Sequence, residues 1–499
     1  MEKYYNLING KLVEPSTNKY FENINPANRT DVIGLFPMSS PEDINIAVDA
    51  ARNALVLWAG MTPPKKGRLI FEAGRLLIEN KEKLAKVIVR EMGKTMPEAL
   101  GDIQSSADVA YFMAGEGRRL YGQTTFSELD KRWALTKRIP VGVCGLITAW
   151  NAPMAIITWK LFPALICGNT VVLKPSEDTP LTAHLLGEIL KKAGFPDGVI
   201  NIVYGIGPET GKALVENNDV ELISFTGSTS VGKAISTECG KKLKKCSLEL
   251  GGKNGLIVMD DANIDVAVQA VASGAFSTAG QRCASTSRVF VHTNVYDEFM
   301  VKLVKKTKEM KVGIGSDPDT KICPIINEKQ LKRIKNYVDE AQKNGAKLIL
   351  GGNVLTEGFY GKGNFIEPTI FTDVDIESRL AQEEIFGPVL VVFKVYSLDE
   401  GIKMLNDVSY GLTASIFTSR INDAMFALDL IQTGVCYINA PTFGSEVHMP
   451  FGGLKNSGNG NREPGTQAMD VFSEWKTIYI DYSDTSQNSQ FREKSCICK

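Results

Sequence analysis

Histidine is nearly missing from this chain: there are three in 499 residues. His184 and His292 fall inside a helical and a strand-like pattern, and only His448 stands near a motif. Histidine is therefore a poor candidate for general base, and that work has to fall to another side chain. Paired cysteines are missing too. The nine cysteines are scattered singly, and the one close pair, Cys496 and Cys498, has a single residue between them. This is neither a disulfide framework nor a zinc pattern, so no metal is expected and a reducing compartment fits. An excess of charge is also absent, since 56 Lys+Arg against 57 Asp+Glu leave a formal net charge of −1. Nothing in that balance points to nucleic acid or an anionic membrane as partner. The opening MEKYYNLINGKLVEP has no basic region followed by an apolar core, and no later run approaches a membrane span, so cytoplasm is the expected location.

What remains is 43% hydrophobic and 23% charged, the balance of a soluble globular protein. A chain of 499 residues is too long for one ordinary core, which predicts two or three domains. There is no internal repeat. The terminal CICK has a cysteine where a prenylation signal would have one, but its last residue is lysine and its flank is barely basic. A frayed polar tail over 486–499 is expected instead.

Ser40 can cap a helix, Pro41 suits its first position, and Asp43 stands where a capping box puts an acid. Ile44, Ala47, Val48, Ala51, Leu55 and Trp58 then share one face. From about 140 to 250 short apolar runs (GVCGLITA, TVVLK, VINIVY, LISF, KCSLEL) alternate with helical stretches. Such alternation predicts a parallel sheet with helices on its faces. A second α/β region follows residue 260. RWALTKRIP and WKTIYIDYS fit neither pattern and read as an exposed β edge that a second subunit could extend.

Ligands bind parallel sheets at the carboxyl ends of the strands, so the residues after each run are read first. Those ends carry Trp150-Asn151-Ala152-Pro153, Lys174-Pro175-Ser176-Glu177, Thr226-Gly227-Ser228 and Glu249-Leu250-Gly251-Gly252. The Gly227 turn opens a helix but lacks a full G-x-G-x-x-G, so a phosphate site and a bare tight turn remain equal readings. The Gly205-Ile206-Gly207-Pro208 turn reads as structural. A carboxylate such as Glu177 would accept ribose hydroxyls and repel the extra phosphate of NADP, although taken alone KPSE reads first as a solvated turn. Just past the middle of the chain, Gly280-Gln281-Arg282-Cys283-Ala284-Ser285-Thr286 sets a thiol among polar residues, a setting for a reactive cysteine rather than a core one.

WNxP, LKPSE, FTGSxxVG, ELGGKN, GQRC, EEIFGPV (Glu383 to Val389) and PFGGxKxSGxGxRExG (Pro450 to Gly465) together resemble the aldehyde dehydrogenase superfamily, over about three quarters of the chain. The resemblance implies a Rossmann-like NAD-binding domain (1–121 and 141–251), a second α/β domain carrying the thiol (252–471) and a β oligomerisation arm (122–140 and 472–485). It implies oxidation of an aldehyde to an acid with NAD, with NADP less expected. Cys283 would be the nucleophile, Asn151 the oxyanion donor, Glu249 the base for water, and Lys160 and Glu463 the proton path behind it. Lys174 and Glu177 would hold the adenosine ribose, Gly227 and Ser228 the pyrophosphate, and Glu384 the nicotinamide ribose, with Trp150 and Phe386 beside it. Arg282 and nearby N–H groups are expected to raise the thiolate fraction of Cys283.

The sequence departs from many family members in the aldehyde tunnel. Ala152 replaces a bulky aromatic, and Arg282 resembles members that take aldehydes with a polar or carboxylate tail; a salt bridge within the loop is the competing reading of Arg282. Trp159 and Phe451 complete the expected substrate set, and a carboxylate-tailed semialdehyde is the expected substrate. A homodimer or homotetramer is expected. Three alternatives stay open: transfer of the thioester to coenzyme A, a scaffold that kept the fold without catalysis, and a cysteine hydrolase that uses no cofactor.

Overall fold

The computed structural model describes residues 1–486. The expected tail over 486–499, with its CICK end, lies beyond its first residue outside the described residues. Two seven-stranded sheets and one three-stranded sheet organise the chain.

In the first sheet five parallel strands run, in spatial order, Lys245–Glu249, Leu222–Thr226, Val143–Ile147, Thr170–Lys174 and Ile200–Ile202. The antiparallel pair Asn6–Ile8 and Lys11–Val13 extends it. The earliest of the parallel strands, Val143–Ile147, is central; its next two successors lie on one side and the last two on the other. The direction of winding reverses between Val143–Ile147 and Leu222–Thr226, which opens a crevice at their carboxyl ends. Val143–Ile147 and Thr170–Lys174 are buried at every residue, as strands covered by helices on both faces must be.

One covering helix is Pro41–Gly60. The Ser40 hydroxyl accepts from the Glu42 N–H at 3.1 Å, and the Ser40 N–H donates to Asp43 at 2.8 Å. The box satisfies donors that a helix start otherwise leaves bare. Ile44, Ala47, Val48, Ala51 and Trp58 are buried, while Leu55 is half-buried.

The second sheet is ordered Lys347–Leu350, Thr369–Thr372, Val389–Val395, Thr286–His292, Asn254–Val258, Thr413–Phe417 and Val435–Ile438, parallel except for its first strand. Its strand Asn254–Val258, beside the central Thr286–His292, begins five residues after Glu249. The ELGGKN motif is thus the hinge between the two sheets.

RWALTKRIP and WKTIYIDYS pair with each other, Arg132–Pro140 against Ser473–Asp481 in nine-residue antiparallel register. Arg132–Pro140 is consequently the middle strand rather than an edge. The edges are Ser473–Asp481 and a short strand, Thr124–Phe126, that the sequence patterns did not reveal. Among the described residues no helix is long and apolar enough to cross a membrane.

Candidate active site

Strand ends deliver most of the site. Asn151 and Ala152 follow the strand Val143–Ile147, and Glu249 is the last residue of Lys245–Glu249. The helix Ala155–Ile166 carries Trp159 and Lys160 inward. Cys283 lies on the loop between the helix Ile264–Phe276 and the strand Thr286–His292. Together with Arg282, Phe451 and Glu463, these residues line one cavity of about 320 Å³. The five expected catalytic residues and the four expected substrate residues therefore converge, although they come from segments as far apart as 151 and 463.

The thiol loop is pinned from outside itself. Asn254 donates through its side-chain amide to the carbonyls of Cys283 at 2.7 Å and Ser285 at 2.8 Å. The Gln281 amide donates to the carbonyls of Thr278 and Pro324, both at 3.1 Å, and its oxygen accepts from the Ile326 N–H at 2.9 Å. Burial pushes the Cys283 thiol up to about 12, the carboxylates of Glu384 and Glu249 add to the effect, and the backbone N–H groups of Ala284 and Cys283 oppose it. The thiol is thus protonated at neutral pH in this state. Arg282 does not supply the expected activation. Its guanidinium pairs with Glu98 at 3.1 Å, lies 4.7 Å from the Phe443 ring centre, and leaves Nη1 buried without a partner. The salt bridge is real but reaches a helix outside the loop, because the loop itself carries no acid.

Glu249 has both carboxylate oxygens buried without a hydrogen-bond partner. Burial raises its pKa well above the ordinary carboxylate value, and the charge of Glu463 pushes the same way. Gly452, in the PFGG motif, has φ +151, and a Cβ there would lie 2.8 Å from Glu249 Oε1; the glycine makes room for the carboxylate. Behind Glu249 a closed polar cluster is buried. Lys160 Nζ donates to Glu463 at 2.7 Å and to Ser224 at 2.9 Å, and the hydroxyls of Ser224 and Ser247 donate to Glu463 at 2.8 and 3.0 Å. Trp159 and Phe451 meet edge to face, with ring centres 5.8 Å apart, and wall the cavity opposite.

A second cluster borders the crevice. Lys174 pairs with Glu177 at 2.9 Å. Burial alone would raise the Glu177 pKa, but the Lys174 charge and hydrogen bonds from Lys174 and the Gly207 N–H bring it below the ordinary value. The Gly207 turn, read as structural, therefore also serves this carboxylate. Ser228 precedes the helix Thr229–Lys241 without capping it through its side chain, so the first N–H groups there remain available. The Gly227 N–H donates to the Glu249 carbonyl at 3.1 Å. Trp150 and Phe386 are in edge-to-face contact at 5.3 Å, joining the two α/β regions. Glu384 accepts from the Gly252 N–H at 3.0 Å, and burial lifts its pKa to about 7.

Sequence reasoning missed Lys94, Glu98 and Asp102, which also line the cavity. They belong to the helix Met96–Glu116 and the turn before it; Lys94 pairs with Asp102 at 2.9 Å. Charged residues on a helix ordinarily face water, so no local signal marked them.

The profile of the aldehyde dehydrogenase family matches residues 12–478. The chain is 39% identical over 477 residues to the alpha-ketoglutaric semialdehyde dehydrogenase of Bacillus subtilis, covering 96% of this chain and 98% of that one. A solved betaine aldehyde dehydrogenase from Staphylococcus aureus, in complex with NAD+, superposes with a TM-score of 0.95 at 33% identity, covering 98% of each chain. An NADP-dependent enzyme of Escherichia coli superposes with a TM-score of 0.92 at 34% identity, covering 96% of this chain and 98% of that one.

Proposed function

The chain belongs to the aldehyde dehydrogenase family, whose members are NAD(P)-dependent oxidoreductases, and from that premise we propose that it oxidises a carboxylate-tailed semialdehyde to the corresponding acid with NAD. The observation that carries this reading is the single cavity shared by Cys283, Asn151 and Glu249.

The groups at the crevice fit a dinucleotide. Lys174 and Glu177 offer a donor and an acceptor for ribose hydroxyls, Ser228 and the helix start behind it suit a pyrophosphate, and Glu384 would accept from the second ribose. NAD bound there supplies the hydride acceptor. The residues of the chain do the rest. Cys283 gives its proton to the Glu249 carboxylate, which passes it on before the second step, and its sulfur bonds to the aldehyde carbon; the oxygen, now an oxyanion, takes hydrogen bonds from the Asn151 amide and the Cys283 N–H. Once oxidised, the carbon is held as a thioester on Cys283. Glu249 removes a proton from water, the hydroxide adds to the thioester carbon, and the C–S bond breaks to release acid and thiolate. Lys160 and Glu463 stand behind Glu249 to pass that proton on.

Tail specificity has to be decided by side chains, since relatives acting on anionic and on cationic aldehydes are both close in sequence. Arg282 Nη1, buried and without a partner, favours an anionic tail, and the missing bulk at Ala152 leaves it room. NAD over NADP rests on Glu177, which is held ionised where a ribose phosphate would come. A domain division at 1–121 with 141–251, 252–471, and 122–140 with 472–485 follows the sheets. The three-stranded sheet, whose Phe126 is fully exposed, supports a homodimer or homotetramer.

The test is reduced-cofactor formation over neutral aldehydes and matched semialdehydes, with NAD and NADP in parallel and Cys283→Ala as control. Turnover with NAD, ranked by tail charge, is expected. Equal kcat/KM for charged and neutral aldehydes would remove the substrate reading. Reduction that requires coenzyme A and yields no free acid would replace hydrolysis by acyl transfer, against the presence of Glu249.

A further inference from the structure

Three consecutive residues just ahead of the thiol, Thr278 (φ 51), Ala279 (φ 53) and Gly280 (φ 69), lie in the left-handed region. Glycine adopts that conformation freely, and at Gly280 a Cβ would in addition meet the Gly387 carbonyl oxygen at 2.2 Å. For alanine, and more so for β-branched threonine, it is strained and persists only when the surroundings impose it.

Gln281 donates to the Thr278 carbonyl from within the loop, and one carboxylate from outside it takes the other polar groups of Thr278. Glu98 Oε1 accepts from the Thr278 N–H at 2.8 Å, from the Thr278 hydroxyl at 2.9 Å and from Arg282 Nη2 at 3.1 Å. Its other oxygen accepts from the N–H and hydroxyl of Thr95, at 3.1 and 2.8 Å, and so locks Glu98 to the start of its own helix. Thr278 and Arg282 bracket the turn that ends at Cys283. A rigid element thus holds both ends of the segment that determines where the thiol and its N–H point.

We propose that Glu98 is a positioning residue for Cys283, holding the strained turn at Thr278 so that the thiol and the Cys283 N–H converge on the same point as the Asn151 amide. The inference rests on Cys283 as nucleophile. Misplacing a reacting group by about 1 Å costs on the order of a hundredfold in rate.

The test compares kcat and KM for a neutral aldehyde, which leaves tail recognition by Arg282 aside, in Glu98→Ala, Glu98→Gln, and Glu98→Ala combined with Thr278→Gly. Thermal melts establish that each variant is folded. Glu98→Ala should lower kcat by about tenfold to a hundredfold with little change in KM. Glu98→Gln, which still offers an oxygen to Thr278, should retain several times more activity than Glu98→Ala. Adding Thr278→Gly should recover about threefold or more, because glycine holds the left-handed turn without the carboxylate. Wild-type kcat in folded Glu98→Ala, or no recovery in the double variant, overturns the inference. If Glu98→Ala does not fold, Thr278→Gly against Thr278→Ala decides: relief of strain predicts the glycine variant to be faster, and the reverse order overturns the proposal. Turnover surviving in Cys283→Ala would instead remove the nucleophile reading itself, whatever the Glu98 variants do.

Discussion

Glu249 and Glu177 stand at the carboxyl ends of strands in the same sheet, yet they are prepared for opposite states. Glu177 is paired with Lys174 and held below the ordinary carboxylate range. Glu249 is buried with no hydrogen-bond partner and sits well above it. Identical side chains on one scaffold are thus shifted in opposite directions, Glu249 upward by burial and Glu177 downward, against its burial, by the charge of Lys174 and by hydrogen bonds. The thiol belongs with Glu249. Cys283 and Glu249 are both shifted upward by burial, whereas at the other end of the crevice the charge of Glu177 is compensated by Lys174.

This contrast predicts that changes at the unpaired end cost more than changes at the paired end. Cys283→Ala should reduce turnover by at least about a thousandfold, because no other thiol among the described residues lines the cavity; steady-state reduction of cofactor measures it. Glu249→Gln should lower kcat by about a hundredfold to a thousandfold while leaving one burst of reduced cofactor per active site, with the acyl adduct visible by intact mass. An unchanged steady state would make another group the base.

Arg282→Leu should cost about tenfold in kcat/KM for a carboxylate-tailed semialdehyde and much less for a neutral aldehyde of equal length. The pH dependence sharpens the comparison further. With the thiol lifted to about 12 in the free protein, its alkylation by iodoacetamide should rise by about tenfold per pH unit from neutral into alkaline pH. A plateau at neutral pH would mean the thiolate is already formed. The smallest effect belongs to the paired end: Glu177→Gln should narrow the preference for NAD over NADP by about three- to tenfold, measured as the ratio of KM values, with kcat nearly unchanged.

Much of the site could be read from the chain because parallel sheets place function at strand ends. Asn151, Lys174, Gly227 and Glu249 each follow or finish a buried apolar run, so locating the runs located the residues. Ser40 and Asp43 were legible for a related reason, since a capping box lies within four residues. Glu98 and Asp102 were not, because they are charged positions on the helix Met96–Glu116 that look solvent-facing until the thiol loop packs against it. The turn at Thr278 and Ala279 was equally hidden, since neither residue type marks a left-handed conformation. The strand Asn254–Val258 escaped because its short apolar run lies directly behind the glycines of ELGGKN.

Sequence alone, then, was enough for the α/β alternation, which rests on residue types within a few positions of one another, and for the family, which rests on short motifs kept in order along the chain. Only the tertiary structure assigned Arg282 to Glu98 rather than to the thiol, left Glu249 without a partner, and bent the turn before Cys283 into its strained form. Protonation state and orientation depend on burial and on partners hundreds of residues away, and those exist only once the helix Met96–Glu116, the two sheets and the 450–463 loop have come together around one cavity.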